Sequence, residues 1–171
     1  LQLGIEAEHF VVDQATDKSV NYSEKNGVYD ILEMLSSEYT KKIFIDGNFL
    51  GLSSEYGDIS LEPAAQLEIS LPPSALLKEI QINYEHFLNC AIKAASKAGR
   101  KIVSMGYHPK SKINDLELIP KLRYKYMSEH MSKRGNFSLN MMKGSCSTQI
   151  SIDYTDEKDF YEKIRLANCL S

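Results

Sequence analysis

The sequence has no tryptophan, and only three cysteines among its 171 residues. Cys90, Cys146 and Cys169 are too few and too irregularly placed for a disulfide framework, and their spacing matches no zinc motif. Reduced thiols follow, and with them an expected cytoplasmic location. Excess positive charge is also lacking. Twenty Lys and Arg face 23 Asp and Glu, for a net charge of −3 and a pI near 5.8. Such a chain carries no electrostatic footprint for a polyanion, which excludes nucleic acid as the expected partner. No apolar run approaches the length of a membrane span. Glycine-rich phosphate loops of the Walker or dinucleotide type are missing. So are internal repeats and low-complexity linkers, and residues 1–171 read as one domain. The sequence opens at Leu1 in a strand-like pattern and stops at Ser171 after an apolar helical stretch, as a part of a larger catalytic domain would.

What is present is ordinary globular material, 43% hydrophobic and 25% charged. Residues 1–12 alternate, with Leu3, Ile5, Ala7 and His9 on one side and Glu6, Glu8 and Phe10 on the other. Val28, Ile31, Leu32, Leu35 and Tyr39 recur at helical spacing within 24–39. Residues 42–46 and 49–52 read as a hairpin around Gly47-Asn48. Residues 59–71 read as one strand bent at Pro63. Ser74 is placed to cap a helix that runs to about Ala98, with Gly99 closing it. A strand near 102–105, a helix from Pro120 to Lys133, a strand over 147–154 and a last helix capped by Asp156 complete the expected order.

Side chains at i and i+2 of a strand share a face, about 7 Å apart. Three strands then present the same kind of face. Glu6 and Glu8 lie on the first, Gln66, Glu68 and Ser70 on the second, Gln149, Ser151 and Asp153 on the third. None of the three stretches contains a lysine or arginine. One reading is the wet side of an antiparallel sheet. The other is a cation site, because clustered carboxylates repel one another unless something positive lies between them. The pattern favours the cation, and oxygen-only donors suit a hard divalent ion such as magnesium.

The same residues carry a resemblance. Gly4-Ile5-Glu6-Ala7-Glu8-His9-Phe10, then Leu61-Glu62-Pro63-Ala64-Ala65-Gln66-Leu67-Glu68-Ile69-Ser70, then Arg123-Tyr124 through Met127, Met141-Met142, and Cys146-Ser147-Thr148-Gln149-Ile150-Ser151-Ile152-Asp153 occur in order. This ordered set resembles the plant-type and bacterial glutamate–cysteine ligases, among the carboxylate–amine ligases related in fold to glutamine synthetase. The resemblance implies an α+β fold, with a curved antiparallel sheet and helices on its outer face. It implies a ligase that uses ATP and Mg2+ (or Mn2+) to phosphorylate the γ-carboxyl of glutamate, which the amine of cysteine then attacks, in glutathione biosynthesis. Glu6, Glu8 and Glu68 are the implied metal ligands, with Glu62 a weaker member because its register across Pro63 is open. Glu8 and Arg123 are the implied catalytic pair. Gln66, Arg123, Tyr124 and Thr148 are implied to bind substrate, and Gln149 and Ser151 the nucleotide. The family's usual Gly-Gly is Ala64-Ala65 here, and its usual Asn is Ser151. The rest of the enzyme, C-terminal to this chain, is an expected partner, and an open sheet edge could pair two copies. A ligase with another amine substrate and an inactive ATP- or metal-binding fragment are the alternatives. A hydrolase built on Cys146 is disfavoured, since neither His108 nor His130 sits in a recognised context for it.

Overall fold

The computed structural model describes residues 1–171. Its centre is β1 (Leu3–Asp13), whose residues from Ala7 to Val12 are buried except Glu8. The other strands are β2 (Lys41–Ile45), β3 (Asn48–Ser54), β4 (Gly57–Leu61), β5 (Leu67–Ser70), β6 (Arg100–Val103) and β7 (Thr148–Ile152). They form an open antiparallel sheet ordered β2-β3-β4-β5-β1-β6, with β7 also paired to β1. One edge of β1 takes β5. The other takes β7 along Leu3–Ala7 and β6 along Phe10–Asp13.

Five helices accompany the sheet: α1 (Val28–Leu35), α2 (Leu77–Lys97), α3 (Leu122–Met131), α4 (Ser138–Gly144) and α5 (Glu157–Leu170). The chain is therefore an α+β protein. α1 and α2 pack on one face of the sheet, through Val28, Ile31, Leu32 and Leu35 of α1 and Phe87, Ala91, Ala94 and Ala95 of α2. Gly99 closes α2 at φ +71°, the left-handed conformation that costs glycine least. Ser74 is not the N-cap of α2, a place that Leu76 takes; it accepts a hydrogen bond from the Leu76 amide and donates to Glu79 in the first turn. Asp156 caps α5 through the Asp159 amide. The cap of α3 comes instead from the β2–β3 turn, where the Asp46 carboxylate accepts from the Leu122 amide. No helix is long and apolar enough to cross a membrane.

Three further expectations are corrected. Residues 59–71 are not one bent strand but two paired ones, β4 and β5, around a turn at 62–66. Pro63 cannot donate to a ladder, and Ala65 takes φ +65°, which reverses the chain. This is where the resembling family has glycine, and an L-residue there costs roughly 1 kcal/mol more than glycine. α1 is shorter than the 24–39 expected, because Asn26 takes φ +54° and Gly27 precedes the first helical residue. α4 is a helix that the polar, glycine-bounded stretch at 138–144 did not announce.

Candidate functional site

Strand alternation divides β1. Its odd residues face the helices: His9, 1% exposed, lies among Tyr84 and Phe87 of α2, with Nε2 2.8 Å from the Tyr84 hydroxyl. Its even residues face the other way. Phe10 and Val12 are covered there by Cys146 and Val103, while Glu6 and Glu8 lie beyond that small apolar cap.

The register then assembles the acidic face. Glu8 stands directly opposite Glu68 on β5, and Glu6 stands between Ser70 on β5 and Gln149 on β7. Ser60 on β4 stands opposite Glu68, and Ser151 on β7 opposite Gly4. Directly opposed residues place their Cβ atoms about 5 Å apart. Four neighbouring strands thus present oxygen and amide donors on one surface. No ion pair in the structure includes Glu6, Glu8, Glu62 or Glu68.

Glu8, Glu68 and Glu62 are each turned by their own hydrogen-bond donors. Glu8 accepts from the Ser147 amide at 2.9 Å, the Ser147 hydroxyl at 3.0 Å and the Gln149 amide group at 3.3 Å. Glu68 accepts from the Ser60 hydroxyl at 2.7 Å, on the opposite side. Glu62, in the β4–β5 turn, accepts from the Tyr124 hydroxyl at 3.0 Å. The oxygens consequently do not converge in one three-carboxylate shell. The one trio of ligand atoms lying within 4.8 Å of one another is elsewhere, at Glu38, His86 and Cys90. The acidic face is an array of separately anchored carboxylates.

The electrostatics match that geometry. Burial pushes the Glu68 carboxyl above its ordinary value, and repulsion from Glu62, Glu6 and Glu8 adds to it. Burial also raises Glu62, aided by Glu8 and opposed by the Tyr124 hydrogen bond, Lys121 and Arg123. Carboxylates that form no ion pair fit a hard divalent cation, which shares a few carboxylates with water and phosphate. Glu6, Glu8 and Glu68 would hold it, with Glu62 at the margin.

This predicts a pH effect. A carboxylate raised in the folded state stabilises the fold below its unfolded value, and that contribution is lost as pH rises through the folded value. Glu68→Gln removes the loss and keeps an acceptor for Ser60. The melting temperature of the variant minus that of the parent should grow from near zero at about pH 4 to a clear positive value at about pH 8. His9 and His108, both lowered by burial, titrate in both proteins and cancel. Scanning calorimetry reads the difference, and a flat profile would contradict a Glu68 carboxyl raised by burial and its acidic neighbours.

The remaining expected residues are placed as follows. Gln149 and Ser151 share the acidic face, on a strand exposed along its whole length. Thr148 pairs with Ala7, so strand alternation turns it to the helix side, beside Ile5, Leu77 and Tyr84 and away from the carboxylates. Gln66 is 2% exposed and does not stand free on the face with Glu68. Its oxygen accepts from the Ala64 amide, and its nitrogen donates to the carbonyls of Ser145 and Lys143. It stitches the β4–β5 turn to the approach to β7. Tyr124 is buried, its hydroxyl raised by desolvation and by Glu62. Arg123 is exposed on α3, near enough to Glu62 to lower its pKa. Cys146 is buried against Phe10 and Val12, and burial pushes its thiol far up, which suits packing and not nucleophilic attack. Ser60 and Ser147, the residues that aim the carboxylates, were not singled out as site residues. Alternation of Asp58 and Ser60 on β4 was the available signal for the first. A cavity of about 360 Å3 opens beside Glu8, Gly106, Cys146 and Ser147, where β1 lies between the ends of β7 and β6.

Fold and site together define an α+β protein with a carboxylate-lined sheet face. The chain belongs to glutamate-cysteine ligase family 2 (GCS2), whose family model matches residues 2–171. Among curated relatives, the chloroplastic glutamate–cysteine ligase A of Oryza sativa subsp. japonica is 30% identical over 96% of this chain and 33% of its own length. The chloroplastic enzymes of Nicotiana tabacum and Arabidopsis thaliana are 28% and 27% identical, each over 96% of this chain and 31% of its own length. These relatives are enzymes by name, and the chain spans about a third of their length. The cytoplasmic expectation is overturned, since the named relatives are all chloroplastic. Sparse reduced thiols report a redox state, whereas an address is carried by targeting segments.

Proposed function

We propose that this chain supplies the acidic, cation-binding face of a glutamate–cysteine ligase. The whole enzyme joins the γ-carboxyl of glutamate to the amine of cysteine at the expense of ATP. The observation that carries the reading is the direct opposition of Glu8 and Glu68 on adjacent strands, with Glu6 and Glu62 close by and no ion pair to any of them. Family membership over residues 2–171 supports it from a second side. The finer likeness, to the curved sheet of glutamine synthetase, belongs to this proposal too.

Mg2+ or Mn2+, when bound, neutralises phosphate charge and so makes the γ-carboxyl of glutamate phosphorylatable. The chain's own residues do the positioning. Glu6, Glu8 and Glu68 present the anionic surface, and Ser147 and Gln149 hold Glu8 at a fixed angle. Gln149 and Ser151 extend the same surface toward the nucleotide. Tyr124 fixes Glu62, and the exposed guanidinium of Arg123 offers two parallel donors to a substrate carboxylate. The remaining two thirds of the enzyme supply the other walls of the site.

The test is amine-dependent phosphate release by the full-length enzyme with glutamate and Mg·ATP. Cysteine should accelerate release at least about tenfold over other amino acids, a discrimination of some 1.4 kcal/mol. Equal stimulation by another amine would keep the ligase chemistry and replace the substrate. Release that ignores every amine would remove the ligase reading.

A further inference from the structure

A second cluster of ligating side chains lies in the helix layer, separate from the acidic face. Glu38 sits in the connection between α1 and β2, and His86 and Cys90 stand at i and i+4 on α2, one above the other. One ligand atom from each lies within 4.8 Å of the other two. Cys90 Sγ is 3.7 Å from His86 Nε2. Two ligands of one tetrahedral zinc, at about 2.3 Å for sulfur and 2.05 Å for nitrogen, stand about 3.5 Å apart. The spacing is therefore close to that of a shared ion.

Two further observations concern how the cluster is held. The His86 ring stacks on Tyr56 with centroids 3.8 Å apart, and the Tyr39 ring lies 6.1 Å away. The imidazole plane is thus set before any ligand arrives, which is what a metal site requires of its histidine. Tyr39 is fully buried, yet its hydroxyl has no hydrogen-bond partner. After burial, the groups that raise its pKa are Cys90, Tyr56 and Glu38, so the orphaned hydroxyl stands beside the cluster. A buried polar atom left without a partner costs about 1–3 kcal/mol, and native structures seldom leave one unexplained. The donor set also differs in kind from the acidic face. Sulfur, imidazole nitrogen and one carboxylate suit zinc, cobalt or cadmium, and suit magnesium poorly. Lys93, one turn beyond Cys90, is exposed and free to carry its ammonium into solvent.

We propose that Glu38, His86 and Cys90 form a binding site for a zinc-class divalent cation, with water in the fourth position giving the Tyr39 hydroxyl its partner. The ion would tie the segment after α1 to the middle of α2. It would also hold Cys90 as a metal thiolate, shielded from alkylation.

Titration of the metal-free, full-length protein with Co2+ tests this. One equivalent should produce a sulfur-to-cobalt charge-transfer absorption in the near ultraviolet. Cys90→Ser should abolish it, and His86→Ala and Glu38→Gln should each weaken cobalt binding at least about tenfold. Glu8→Gln should leave the charge-transfer band unchanged, which separates this site from the acidic face whatever the fate of the ligase reading. Zn2+ should displace the cobalt and slow alkylation of Cys90 by iodoacetamide. No charge-transfer band in the parent protein, or a band that persists in Cys90→Ser, would overturn the proposal. Should Cys90→Ser fold poorly, undiminished cobalt affinity in His86→Ala does the same.

Discussion

Glu8→Gln in the full-length enzyme is expected to lower ADP release by at least about a hundredfold while leaving the melting temperature nearly unchanged. The substitution keeps the side chain's size and one acceptor oxygen for Ser147, so the anchoring of residue 8 largely survives. What goes is the negative charge directly opposite Glu68. A divalent ion at phosphoryl oxygens is worth several kcal/mol of transition-state stabilisation, and about 1.4 kcal/mol is tenfold in rate. Weakening its seat therefore reaches the rate at full strength. Coupled-enzyme measurement of ADP, with Mn2+ affinity followed by water proton relaxation, reads both sides of the effect. Unchanged ADP release in a folded Glu8→Gln variant would falsify the assignment of Glu8.

Phe87→Ala carries the largest expected effect on stability. Phe87 is fully buried at the centre of α2, where it packs against His9 of β1 and Tyr84 of its own helix. Truncating such a ring removes its transfer energy and leaves a cavity, for a loss of about 3–5 kcal/mol. Domains are stable by only about 5–15 kcal/mol, so about a fifth or more of the total goes with one side chain. Urea denaturation should show a lower midpoint with an unchanged slope. The loss bears on the acidic face as well. His9 is held on the helix side by Phe87 and Tyr84, and that grip fixes which way β1 alternates and so where Glu8 points. A loss under about 1 kcal/mol would mean that α2 does not lock β1 in this manner.

Much of the site was legible in the sequence wherever one local period survived. Glu6 and Glu8 alternate with Ile5, Ala7 and His9, and Gln149 and Ser151 with Ile150 and Ile152, so the same-face pairs follow from strand geometry alone. The helical spacing of Val28, Ile31, Leu32 and Leu35 was equally plain. The gaps have physical causes. The reversal at 62–66 turns on an alanine in a left-handed conformation, which composition conceals. Gln66 fits the period of the strand that follows it, yet it lies in the turn and spends its amide on backbone 77 to 79 residues away, a contact no local pattern encodes. Thr148 shares a motif with Gln149 but lies on the other face, because neighbours in a strand always do. His86 and Cys90 share one helix face, but Glu38 joins them only through the packing of the helix layer, which no local period encodes.

The way Glu8 is anchored also says something about the order of assembly. Its hydrogen bonds to Ser147 and Gln149 close loops of 139 and 141 residues, almost the whole length of this chain. Contacts of that separation form slowly, since the entropy of closing the loop is lost before any bond is gained. β1 must therefore wait for β7 before its carboxylates are aimed, with one edge bare in the meantime. Within residues 1–171, the acidic surface is among the final features that folding can complete.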